Sequence, residues 1–412
     1  MFGAKRHAKT EGPPVAAADL ADAVTVDDRP ATSGDRRATT RRLLRLLAPA
    51  AVFLGVRQFG LLVLDWMAAR NDMSATDALR SWDGQWFLAI AEHGYDDVPQ
   101  TLVDAFGRRS AETPLAFFPG YPTLVGWLHS LGFAALPSAL AVTIACGVVA
   151  AYGLARLGET VAGGNRRVGL LLVALFAASP MSIVLSMAYS EALFCALAAW
   201  ALVFVLDRGW IAAGLCCAAA GLVRPTAAAL VLAVGAAAIV AVLRRRDGWR
   251  PWVGGLLAPL GLLAYLGWVA LRTGEWDGWF ALQRRGWDSQ FDGGVATVKF
   301  SLDVLGNARS VLEVATVGLV IGALVLLGVG VRRRLEWPLL VYAAGVLAMD
   351  LCSNGLMNSK ARLMVPAVTL LLPMAIALAR RRPATAVLSV AGLALAGSWF
   401  GAYSITAWGY AI

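Results

Sequence analysis

The residues with the most chemical promise lie in a polar stretch, 67–116, set between two apolar segments. Its centre reads Ser81-Trp82-Asp83-Gly84-Gln85-Trp86-Phe87-Leu88-Ala89-Ile90-Ala91-Glu92-His93-Gly94-Tyr95. Asp83 stands between an aromatic that can stack on a sugar face and the Gly84-Gln85 pair. A carboxylate held at a membrane surface in that company suits a base that takes a proton from a hydroxyl. Trp82, Trp86, Ile90 and His93 recur at helical spacing, which predicts a short amphipathic helix lying in the interface. An interfacial anchor beneath a solvated acidic loop explains the same pattern, since aromatic residues gather at that depth.

Ionisable groups inside apolar runs are the next candidates, because each needs a partner or a function. Glu191 falls between an apolar run ending near Met187 and one beginning near Tyr189. It either snorkels to water or supplies a second carboxylate that orients sugar hydroxyls or pairs with an arginine. Arg224 precedes Pro225 in the middle of 211–243, where proline breaks a helix. Its guanidinium and the amino end of the following half-helix suit an anion such as a lipid phosphate, unless Arg224 is a plain helix-end charge. Lys360 and Arg362 either bind headgroups or stabilise a phosphate that leaves as a bond breaks. Gln283 and Trp287 sit in a Trp-rich stretch that reads mainly as an aromatic belt, and they are candidates to face an acceptor.

The elements that must position these residues are membrane helices. Of the 412 residues 58% are hydrophobic and 15% charged, with a mean hydropathy of +0.65, against about 25% charged in soluble domains. Apolar runs of membrane-spanning character fall near 43–66, 117–133, 137–157, 168–187, 189–206, 211–243, 251–271, 311–331, 337–352, 362–379 and 384–406. The expected fold is therefore an all-α polytopic bundle of about 10–12 helices. Residues 1–40, without apolar period, read as a disordered cytoplasmic tail. The run after them reads as a retained span, so that 41–412 forms a single membrane domain.

Arginine clusters at 41–45, 244–246, 332–334 and 380–382 set the orientation. Placed in the cytoplasm by the positive-inside rule, they put loops 67–116, 272–310 and 353–361 together outside. The net charge of +9 then reflects topology, and no nucleic-acid groove is expected. Arg166 and Arg167 fit this scheme only if the proline-containing 117–133 piece is short or re-entrant. The five cysteines and three histidines have no ligand spacing, so neither disulfides nor a metal site nor a cofactor is expected.

The order and spacing of the Trp82–Tyr95 stretch, Phe117-Phe118-Pro119-Gly120-Tyr121-Pro122, Ser179-Pro180, Ala188-Tyr189-Ser190-Glu191-Ala192-Leu193-Phe194 and Gly221-Leu222-Val223-Arg224-Pro225-Thr226 resemble the PIG-V-type mannosyltransferases. These belong to the GT-C group of membrane glycosyltransferases. The resemblance covers about 43–245 well and the remainder mainly through hydropathy. It implies a GT-C-like bundle and inverting transfer of mannose from a polyprenyl- or dolichyl-phosphate donor, with an acidic residue of the first outer loop, here Asp83, at the reaction centre. On that reading Asp83 is the base. Trp82, Gln85, His93, Tyr189 and Glu191 contact the substrates, and Arg224, Lys360 and Arg362 hold the lipid phosphate. The acceptor is a glycolipid, a glycan or a protein hydroxyl. A lipid or lipid-linked-sugar flippase is the rival, and it should show related halves with polar residues meeting near the midplane.

Overall fold

A computed structural model describes residues 33–307 and 310–408, with side chains from Arg42 onward. Most of the expected 1–40 tail lies outside the described residues, and the helix carrying the first apolar run begins at Ser33 and ends at Arg70. From Ala48 the chain packs as one unit. It is all-helical among the described residues apart from one isolated bridge, Phe291 with Ser353.

Among the described residues, five helices are long and apolar enough to cross a membrane: Arg42–Arg70, Ala135–Thr160, Arg250–Thr273, Val311–Arg332 and Pro383–Thr406. A sixth candidate is the bent pair Met357–Leu363 and Val368–Ala379, which turns by 69° around Pro366, where an amide donor is missing. Four shorter apolar helices, Glu191–Leu206, Trp210–Gly221, Ala227–Leu243 and Trp337–Leu351, fill the space between them. The piece expected to be short or re-entrant is short: the helix there is Gly120–Ser130, 11 residues, about 16 Å of rise against a hydrocarbon core of about 30 Å.

Small residues allow the helix backbones to meet, as expected where lipid offers no hydrophobic gain from association. A Cβ on Gly158 would fall 2.6 Å from Gly169 Cα, and one on Gly214 would fall 2.4 Å from the Gly254 carbonyl oxygen. Helix ends are closed by local chemistry. Asn165 caps Arg166–Ala178 by accepting from the Val168 amide at 3.1 Å. At the other end of that helix the buried Arg57 donates to the Ala177 carbonyl at 2.9 Å, to Ser182 Oγ at 2.6 Å and to Ser186 Oγ at 3.0 Å.

The three polar stretches that the charge pattern placed on one face do touch one another. The Ala105 amide donates to the Gly286 carbonyl at 3.1 Å, and the Asn354 amide donates to the Gln290 carbonyl at 3.0 Å. Gln283 and Trp287 are occupied by this assembly. Gln283 bonds the Ala116 carbonyl at 3.4 Å, and the Trp287 ring packs edge-on against Phe117 at 5.8 Å. Their contacts hold the 278–287 helix to the segment before Gly120.

Candidate active site

Asp83 opens the helix Asp83–His93, behind a strained residue. Trp82 has φ +56° and ψ −120°, a region that costs a non-glycine residue roughly 1–3 kcal/mol and persists only when its surroundings hold it. The surroundings are visible. The Ala188 amide donates to the Leu79 carbonyl at 2.9 Å, and the buried Tyr189 hydroxyl donates to the Ser81 carbonyl at 3.1 Å. At Gly84 the same helix lies against Tyr189 and Ala188 at ordinary van der Waals distance. The Tyr-Ser-Glu segment thus fixes where Asp83 points.

Four charged side chains form one chain of contacts. Asp83 Oδ2 accepts from Arg362 Nη1 at 2.7 Å across 279 residues of sequence. Arg362 Nε lies 3.6 Å from Glu191 Oε1, and Arg224 Nη1 lies 2.7 Å from that same oxygen. Arg224 also donates to Ser190 Oγ at 3.1 Å. Neither Glu191 oxygen has an aligned hydrogen bond, so this carboxylate holds the two guanidiniums by charge. The Arg362 guanidinium stacks 5.4 Å from the Tyr189 ring centre, a cation–π contact that favours the charge in a dry setting.

Burial sorts these groups. Glu191 is fully buried, Arg224 and Arg362 nearly so, and the Asp83 side chain keeps 28% of its exposure. The carboxylate open to a substrate is therefore Asp83, with Oδ1 left free by Arg362. Trp82 and Gln85 are exposed beside it. Tyr189 and Glu191 present no surface to solvent, so they bear on any group beside Asp83 only through Arg362.

Two sequence candidates stand apart from the chain. Lys360 is buried, and its amine donates to the carbonyls of Asp350 at 2.6 Å and Ser353 at 3.0 Å, with Asp350 Oδ1 at 4.0 Å. It closes the end of the Trp337–Leu351 helix. His93 lies at the far end of the Asp83 helix, about 15 Å on by helical rise, exposed and 3.9 Å from Glu92.

Sequence reasoning missed Asp350, Arg57 and Ser190. The first two carried a readable signal, an ionisable group inside an apolar run. Ser190 gave none.

No protein-family model matches the chain. Two curated proteins do: GPI mannosyltransferase pigv-1 of Caenorhabditis elegans, 31% identical over 142 residues, and GPI alpha-1,6-mannosyltransferase 2 of Mus musculus, 36% identical over 154 residues. The matches cover 31% and 35% of this chain, but only 19% and 28% of those proteins. Among solved structures, ArnT from Cupriavidus metallidurans bound to undecaprenyl phosphate superposes with a TM-score of 0.52 at 16% identity, over 87% of this chain and 64% of ArnT.

The fold is of the GT-C type. The resemblance read from the motifs is met by the two mannosyltransferases, and the apolar helices make this a multi-pass membrane protein. On a GT-C bundle, the Asp83–Arg362 pair is where a first polar loop and a late, bent helix pair come together.

Proposed function

We propose that the protein transfers mannose, with inversion, from a polyprenyl-phosphate donor to a hydroxyl of a glycolipid, glycan or protein, at the extracytoplasmic face of the membrane. The observation that carries this reading is the 2.7 Å contact between Asp83 and Arg362. A carboxylate fit to accept a proton and a guanidinium fit to hold a phosphate thus stand side by side. The mannosyltransferase relatives support the class of reaction, and the fold shared with a protein bound to undecaprenyl phosphate supports the class of donor.

The acceptor oxygen attacks the anomeric carbon while Asp83 Oδ1 takes its proton. The bond from that carbon to the phosphate oxygen breaks on the opposite face, its electron pair stays with the phosphate, and polyprenyl phosphate leaves. Arg362 and Arg224 stabilise the charge that grows on the leaving group, while Lys360, bound to the Asp350 and Ser353 carbonyls, holds the helix end that precedes Arg362. Trp82 and Gln85 border the sugar beside Asp83, Tyr189 and Glu191 set the direction of Arg362, and His93 is left to an extended acceptor. A single displacement needs one base, unlike the carboxylate pair of a glycosidase.

The test is transfer by purified protein from polyprenyl-phosphate-[14C]mannose to a phosphoinositide glycolipid, an oligosaccharide or a Ser/Thr peptide. Labelled product with at least one of them is expected. Donor binding without transfer to any of the three would overturn the reading.

A further inference from the structure

An apolar groove lies away from the Asp83 site. The groove, of about 540 Å³, runs between the first helix, the Arg166–Ala178 helix and the Pro383–Thr406 helix, lined by Val52, Val56, Phe59, Leu171, Val387 and Val390 among others. Arg167 is the one charged residue in its lining. The groove mouth is where the two later helices begin. Arg166–Ala178 then runs about 20 Å before the chain turns through Ser182–Ser186 to Tyr189, the residue stacked on Arg362. The groove mouth is thus about a helix length away from the segment that holds Asp83.

Its mouth is basic. Arg167 donates to the Arg381 carbonyl at 2.8 Å, which joins the two helix starts, and Arg380, Arg381 and Arg382 are exposed around them. Among the described residues no carboxylate pairs with Arg167, Arg380, Arg381 or Arg382. The two acids in the neighbouring loops are Glu336, whose carboxylate accepts from the Ala162 amide at 2.6 Å, and the exposed Glu159. Two helix amino ends add partial positive charge at the same place.

We propose that this groove binds an anionic membrane phospholipid, with one acyl chain between the helices and its phosphate at Arg167 and Arg380–Arg382. Dimensions support a leaflet lipid: Pro383 to Ala394, the stretch lining the groove, rises about 16 Å, and half of a hydrocarbon core is about 15 Å. Charge sets the headgroup, because basic pockets between membrane helices select anionic lipids. A zwitterionic lipid offers the same chain and gains nothing from the arginines.

The experiment reconstitutes the full-length protein in phosphatidylcholine vesicles carrying trace spin-labelled phosphatidylglycerol or spin-labelled phosphatidylcholine, and reads the immobilised fraction. A preference of about tenfold for phosphatidylglycerol is expected, given what each arginine near a surface contributes. It should disappear in Arg167→Gln/Arg381→Gln, and fall partway in Arg380→Gln/Arg382→Gln, which leaves the Arg167–Arg381 contact in place. Equal retention of both lipids overturns the proposal, as does a preference that survives both variants. Displacement by polyprenyl phosphate at lower concentration than by phosphatidylglycerol also overturns it, by making the groove a donor site.

Discussion

Arg362 and Arg57 are both buried guanidiniums, at 8% and 4% exposure, and the protein holds them in opposite ways. Arg362 lies between two carboxylates, Asp83 and Glu191. Arg57 has two hydroxyls and a helix-end carbonyl, and its Nη2 has no partner. A cation at the carboxyl end of a helix is favoured where it stands, so Arg57 acts as a pin. A cation between two anions can be shared with a third. Asp83, Glu191, Arg224 and Arg362 sum to zero formal charge, so on the proposed mechanism an arriving phosphate competes with Asp83 for Arg362, and the competition frees the base.

Asp83→Asn is the variant that strains this comparison most. Removing a general base should lower turnover about 10²- to 10⁴-fold. The same change leaves Arg362 with less negative charge to neutralise, so polyprenyl phosphate should bind more tightly than to the parent. Initial rates and a lipid-phosphate binding isotherm on one preparation read both effects. Turnover within tenfold of the parent removes the base assignment, and unchanged affinity removes the sharing of Arg362.

Glu191→Gln and Arg57→Met separate the two kinds of guanidinium by stability and rate together. Glu191 is the carboxylate paired with Arg224, and breaking a buried pair from one side costs about 3–5 kcal/mol. A lower melting temperature should accompany slower transfer, because Arg224 and Arg362 lose their common anchor. Arg57→Met leaves two hydroxyls and a carbonyl with fewer partners, a loss of about 1–3 kcal/mol, with transfer per folded molecule unchanged. If Arg57→Met slows transfer as much as Glu191→Gln does, the distinction between pin and shared cation fails.

What the sequence revealed about the site follows the same division. Glu191, Arg224 and Arg362 were legible one by one, because a charge in an apolar setting carries a penalty that demands a reason, and Asp83 was legible from its place between Trp82 and the Gly84-Gln85 pair. Their pairing was not, since Arg362 and Asp83 are 279 residues apart and no local pattern encodes such a distance. Lys360 read as a free outer cation for the same reason: its partners, the Asp350 and Ser353 carbonyls, are backbone groups that no residue type announces. The helical bundle was legible from hydropathy, but helix lengths were less so. Alanine-rich runs such as Ala227–Leu243 are apolar throughout, and their ends are set by contacts with neighbours and by breaks at Arg224-Pro225 and Pro259.

The smallest effects concern two glycines that lie on either side of the site. Gly120 donates its amide to the Leu222 carbonyl at 2.7 Å, and a Cβ there would stand 2.9 Å from that oxygen and from Val223 Cγ2. The obstacle is backbone two residues before Arg224, so the turn must move. Gly120→Ala should cost about 1–3 kcal/mol and slow transfer by shifting Arg224 against Glu191, since small misplacements near a reaction centre are amplified in rate. Gly84 touches Tyr189 and Ala188 more loosely, with the nearest atom 3.4 Å from its would-be Cβ, and it sits in a helix that favours alanine over glycine by about 1 kcal/mol. Gly84→Ala should therefore melt at or slightly above the parent temperature and keep its rate. Equal losses from both substitutions would mean that the turn at Leu222–Arg224 is no more constrained than the Asp83 helix, and that the Phe-Pro-Gly-Tyr motif does not set the position of Arg224.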